Sequence, residues 1–217
     1  MSVGQVKSRQ RVSDHGEVYT NPREVNAMLD LVKQETERID SRFLEPACGH
    51  GNFLAAILER KLDVVEARYR KSQREFERYA ILAVGSIYGI DLLPDNITEA
   101  RERLLGILAD RYLRTFRDSS RAQVLDSARY ILGLNLIAGD ALDLSTIDGE
   151  PIVFSEWSLV TGDLIKRRDY SFEHLVANIP LDGLFSDLGD DAYIQTPVAE
   201  FPPVDFATLS HAYEGTI

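Results

Sequence analysis

The chain has 217 residues, 44% of them hydrophobic and 27% charged, with a formal net charge of −11. That is enough apolar material for one well-buried domain, and the charged fraction is too ordinary for a disordered chain. A single cysteine, Cys48, excludes a disulfide framework, and the acidic average argues against a protein that grips nucleic acid alone, because phosphate contacts call for a basic face.

No window reaches the roughly 18 consecutive apolar residues of a membrane span. The N-terminal stretch MSVGQVKSRQRVSDHGEVY lacks the apolar core of a secretory signal. Both features point to a soluble, cytoplasmic protein.

In chain order, residues 1–20 are polar and Pro22 suits a first helical turn. Val25, Met28, Leu29, Leu31 and Val32 then recur at helical spacing, in a run that ends near Ile39. Phe43-Leu44 is a short strand leading into the loop Glu45-Pro46-Ala47-Cys48-Gly49-His50-Gly51-Asn52, and Phe53 opens a second helix. The charged segment 59–80 reads as helix with a solvated face. Ile87-Tyr88-Gly89-Ile90 is a strand closed by Asp91, and residues 97–108 and 121–133 form amphipathic helices. Asn135 to Ala138 is a third strand, followed by Gly139-Asp140. Ile152-Val153-Phe154 suggests an additional strand, and His174-Leu175-Val176-Ala177 the next one in the sheet, followed by Asn178-Ile179-Pro180-Leu181.

Strands alternating with helices imply an α/β fold, a mostly parallel sheet with helices on both faces. In such sheets ligands bind beyond the carboxyl ends of the strands. Glu45, Asp91, Asp140 and Asn178 fall at four successive strand ends, which brings them to one cleft. The expected domain runs over residues 1–181. Residues 182–217, with Pro197, Pro202 and Pro203 among acidic and small residues, read as an irregular tail or docking arm.

Each strand end admits two readings. Gly49 and Gly51 let backbone N–H groups approach a ligand, or simply make a tight strand-to-helix turn. Glu45 at the mouth would repel a pyrophosphate and attract an amino group. Asp91 suits the hydroxyls of a ribose, or the N-terminus of the following helix. Asp140 suits an adenine amino group, or a turn after Gly139. Together the three acids favour a nucleoside ligand that carries a cation. Cys48 reads as a packing residue rather than a nucleophile, and Trp157 as core or interface. His15, His174 and His211 show no metal-ligand spacing, so no metal is expected. Lys166, Arg167 and Arg168 form a compact basic cluster that reads as a solvated loop.

These residues resemble a known family. Leu44-Glu45-Pro46-Ala47-Cys48-Gly49-His50-Gly51-Asn52-Phe53 looks like the S-adenosylmethionine (SAM) motif of DNA adenine-N6 methyltransferases, Asp/Glu-Pro-x-Cys-Gly-x-Gly-x-Phe. Gly16-Glu17-Val18-Tyr19-Thr20-Asn21-Pro22 is similar to the family's upstream motif, with Asn21 ahead of the proline. Tyr88-Gly89-Ile90-Asp91 and Gly139-Asp140-Ala141-Leu142 match its ribose and adenine segments. The nearest likeness is to methylase subunits of restriction-modification systems, over roughly residues 12–181.

The resemblance implies a Rossmann-like SAM-dependent methyltransferase fold with a shortened C-terminal part. It implies SAM binding by Tyr19, Thr20, Glu45, Pro46, Cys48, Gly49, Gly51, Phe53, Asp91, Leu92, Asp140 and Ala141. It also implies methyl transfer to the N6 of a flipped adenine in DNA. In the family motif Asn/Asp-Pro-Pro-Tyr/Phe, the Asn side chain and the first Pro carbonyl orient the amino group, and the aromatic ring stacks on the base. Here that stretch reads Asn178-Ile179-Pro180-Leu181, which makes Asn178 and Pro180 the expected residues at the target base. Loss of a stacking ring removes roughly 1–3 kcal/mol per base, about ten- to a hundredfold in base capture. The alternative is a catalytically impaired SAM-binding or scaffold protein. In either case a partner chain would supply DNA recognition, and a homo- or hetero-oligomer is compatible with that.

Overall fold

The computed structural model describes residues 21–177 and 196–213. Helix α1 (Pro22–Leu31) starts on a cap that the sequence spells out: the Asn21 side chain accepts a bond from the Arg23 N–H, and Pro22 takes the position where a missing N–H costs nothing. The expected single run to Ile39 breaks at Val32, and a short α2 (Lys33–Thr36) follows. The charged helix also divides, into α3 (Asn52–Tyr69) and α4 (Gln73–Gly85). The divider is Ser72, whose hydroxyl accepts from the Glu75 N–H and starts a new helix.

Strands β1 (Phe43–Glu45), β2 (Ile87–Asp91) and β3 (Leu136–Asp140) lie side by side in parallel, and β4 (Ser145–Thr146) adds antiparallel to β3. Between them run α5 (Pro94–Phe116) and α6 (Ala122–Asn135). The chain is therefore α/β, with a mixed, mostly parallel sheet. A second, antiparallel sheet has β5 (Val153–Leu159) beside β6 (Leu164–Ser171), and β6 also pairs with β7 (Ala199–Glu200) and β8 (Val204–Asp205).

The alternation along β2 sorts the two faces of the first sheet. Ile87 packs into the large core formed by α3, α4, α5 and α6. Tyr88 and Ile90 point the other way and join Ile152, Phe154 and Phe172 in a smaller core. Among the described residues that second face is covered by the β5–β6 hairpin and one short helix, α7 (Phe172–Ala177), rather than by a second helical layer.

Two expectations need correction. His174–Ala177 lies in helix α7, not in a strand. Four apolar or near-apolar residues fit either element by pattern alone, and Phe172, buried against Phe154, anchors the helical turn. The described part of the C-terminal segment is also ordered. Besides β7 and β8 it forms α8 (Leu209–Ala212), and Phe206, Leu209 and Tyr213 are buried in the main core. No helix among the described residues is long and apolar enough to cross a membrane.

Candidate ligand site at the strand ends

The parallel register Glu45↔Gly89 and Asp91↔Ala138 brings the carboxyl ends of β1, β2 and β3 to one edge. Glu45, Asp91 and Asp140 stand there together. Asn178, the fourth residue expected at this edge, lies outside the described residues, as do Pro180, Tyr19 and Thr20.

Glu45 is the residue with unmet bonding. Its Oε2 is buried and has no hydrogen-bond partner. Burial, with the nearby charge of Asp91 second, pushes its carboxyl up to about 7. A carboxyl in this state favours a cation that approaches from the open side.

Asp91 has work inside the protein already. Its Oδ2 accepts from the Gly49 N–H at 2.8 Å, and its Oδ1 accepts from the Leu93 N–H and from the Asn96 side chain, each at 3.0 Å. It thus ties the β1 loop to the start of α5. Three of its roughly four acceptor sites are filled in this way, and the one left on Oδ2 keeps a ligand role compatible with the helix-end role. Asn96 is a residue the sequence reading missed. It is buried in the first turn of α5, and the signal was the spacing Asp91-Leu92-Leu93-Pro94-Asp95-Asn96. Asp140 behaves similarly. Its Oδ1 accepts from the Leu142 N–H at 2.8 Å, which holds a turn with Leu142 exposed; Leu92, after β2, is exposed as well.

The loop between Glu45 and α3 divides its duties. Gly49 has φ +52° and Gly51 φ +79°, both in the left-handed region. Nothing lies within 4 Å of where a Cβ on Gly49 would stand, so that backbone faces open space. A Cβ on Gly51 would come within 3.0 Å of the Ala100 Cβ, so Gly51 serves the packing of α3 on α5. Cys48 is buried, its N–H bonds the Ile90 carbonyl at 2.9 Å, and burial followed by the charges of Asp91 and Glu45 pushes its thiol well up. It packs against Gly89, where even a Cβ would come within 2.9 Å of its Sγ. A protonated, enclosed thiol fits the packing role. Phe53 and Ala141 pack on the two cores, while Pro46 and Leu92 are exposed at the mouth.

The basic cluster does not form a solvated loop. Lys166, Arg167 and Arg168 lie on β6. Arg167 is buried, with Nε and Nη2 donating to both oxygens of Asp169 at 2.8 and 2.7 Å. Lys166 and Arg168 reach Glu200 at 2.8 and 3.6 Å. Trp157 is core, with its ring against Gly85.

No protein family matches the chain, and no curated protein or solved structure does either.

Proposed function

We propose that the chain binds SAM across the ends of β1, β2 and β3 and serves as a DNA adenine-N6 methyltransferase, or as the SAM-binding subunit of one, in a restriction-modification or phage-defence setting. The carrying observation is Glu45, whose buried Oε2 is unpartnered and whose carboxyl feels the charge of Asp91, the residue that holds the Gly49 N–H. In this reading Glu45 receives the amino group of SAM. The remaining acceptor site on Asp91 Oδ2 receives a ribose hydroxyl. Asp140 receives the adenine amino group, and Leu92 and Leu142 flank the ring. By the resemblance, Asn178 and Pro180 would meet the target adenine. A net charge of −11 supports recognition of DNA by another chain.

The stretch Asn178-Ile179-Pro180-Leu181 favours a second reading, in which SAM is held but not used. Calorimetry with SAM, followed by transfer of tritiated methyl to mixed plasmid DNA, separates the two. Absence of SAM binding at micromolar concentration removes the shared premise. Binding without transfer, with a partner subunit present, leaves the second reading. Methyl transfer gained by an Ile179→Pro, Leu181→Tyr double variant would identify the motif as what limits catalysis.

A further inference from the structure

A groove of about 540 Å³ opens beside the approach to β1, at the amino ends of the parallel strands and away from the three acids. Its walls differ in character from the rest of this acidic chain. Arg38 and Arg42 stand ahead of β1, Arg68 and Tyr69 close α3, Tyr79 comes from α4, and β5 supplies Glu156. Tyr69 and Tyr79 are stacked, with ring centroids 4.2 Å apart and planes within 2°. The Arg78 guanidinium lies 5.5 Å from the Tyr79 centroid and supports that ring from outside the groove lining.

The cations here are only partly spent. Arg42 bonds Glu156 at 2.8 Å. Arg38 reaches Glu35 at 3.4 Å and Asp40 at 3.6 Å, both pairs exposed and therefore weak. Arg68 is exposed and has no ion pair among the described residues. Beneath the floor, the buried Lys61 ammonium donates to the carbonyls of Arg38 and Ile39. Asp40 and Glu156 share the walls, so a bare phosphate gains little. An anion that also brings a flat ring gains the stacking surface as well. The volume lies within the range of small-ligand sites, roughly 300–1,000 Å³.

We propose that this groove binds a nucleoside phosphate unit, with the base on the Tyr69–Tyr79 stack and the phosphate on Arg68 and Arg38. The ligand chemistry is shared by a free mononucleotide and by one unit of a single strand. The site stands apart from the strand-end cleft and does not depend on SAM binding there.

Thymine probes keep the adenosine-type cleft out of the measurement. Fluorescence anisotropy with a labelled short oligothymidylate at low salt, and calorimetry with thymidine 5′-monophosphate, read the two sources. Binding is expected for the native chain, weakened roughly tenfold by Tyr69→Ala and by a similar factor by Arg68→Glu, with Tyr69→Phe close to native. Saturating SAM leaves it unchanged. An oligomer that binds no more tightly than the mononucleotide assigns the groove to free nucleotides, whereas an oligomer that binds more tightly by roughly tenfold or more, and loses that excess in Arg68→Glu, assigns it to a strand. Arg68 is exposed, so its variant tests the site even where Tyr69→Ala disturbs folding. No binding of either probe, or native affinity in Arg68→Glu, overturns the proposal.

Discussion

Glu45 and Asp91 end neighbouring parallel strands, and the charge of Asp91 adds to burial in raising the Glu45 carboxyl to about 7 from an ordinary 4.5. This relationship sets the pH behaviour of the proposed site. A cationic ligand prefers ionised Glu45, so SAM affinity should rise with pH from about 5 and level off above about 7, gaining up to tenfold per pH unit where one proton is released. Calorimetry across that range in buffers of different ionisation enthalpy measures the proton count. Glu45→Gln should flatten the pH dependence and weaken binding. A native profile that is already flat would show that Glu45 does not meet the cation.

Gly49 and Gly89 should respond differently to alanine. At Gly49 the added methyl meets open space, so the cost is the left-handed backbone alone, about 1 kcal/mol. At Gly89 the methyl would come within 2.9 Å of Cys48 Sγ, Leu54 and Leu136, an overpacking cost of about 1–3 kcal/mol. Chemical denaturation should rank Gly89→Ala as the more damaging to stability. SAM titration should reverse that ranking, because only Gly49 faces the proposed ligand.

Arg167 holds the C-terminal segment in place. It pairs with Asp169, donates to the Tyr130 hydroxyl at 2.8 Å, and lies 4.3 Å from the Phe201 ring and 5.8 Å from the Tyr213 ring. Arg167→Met leaves Asp169 buried with its countercharge gone, at a cost of about 3–5 kcal/mol. Limited proteolysis should cut within residues 196–213 of this variant before it cuts the helical core. An Arg167→Met, Asp169→Leu pair should recover part of the loss.

The strand-end acids were legible because their positions follow from hydrophobic runs of ordinary length, each closed by a polar residue. Of the second sheet only the start of β5, at Val153-Phe154, was legible. The buried side of β6 carries Ile165, Arg167, Asp169 and Ser171, so its period-two pattern is polar on both faces and looks like a loop. Only the pairing of Arg167 with Asp169 makes that side suitable for burial, and pairing is a tertiary fact. The C-terminal segment hid its role in the same way. Phe206, Leu209 and Tyr213 are isolated apolar residues after a proline-rich stretch, and their spacing resembles neither a strand nor a long helix. They are buried because α4, α6 and β6 offer a surface for them. The strand pattern at 174–177 misled for lack of length, since four residues cannot separate the two periods.

Lys61 and Glu45 together shape the stability of the ligand-free chain. Lys61 is buried, donates to three backbone carbonyls and the Ser86 hydroxyl, and is pulled by burial from 10.5 to about 7. Its folded state holds fewer protons than the unfolded chain between about 7 and 10.5, so this group adds stability as pH rises through that window. Glu45 does the opposite. Its folded state holds more protons between 4.5 and about 7, so its contribution is full below 4.5 and is lost as pH rises to about 7. The two effects give the ligand-free protein a stability minimum near pH 7 from these groups. Urea midpoints measured from pH 5 to pH 9 should show it. Glu45→Gln should remove the falling limb on the acid side. Lys61→Met should remove the rising limb on the alkaline side and lower stability throughout, because the Ser41 carbonyl loses its buried donor. A native midpoint that rises steadily from pH 5 to pH 7 would contradict the protonated Glu45 on which the acid limb depends.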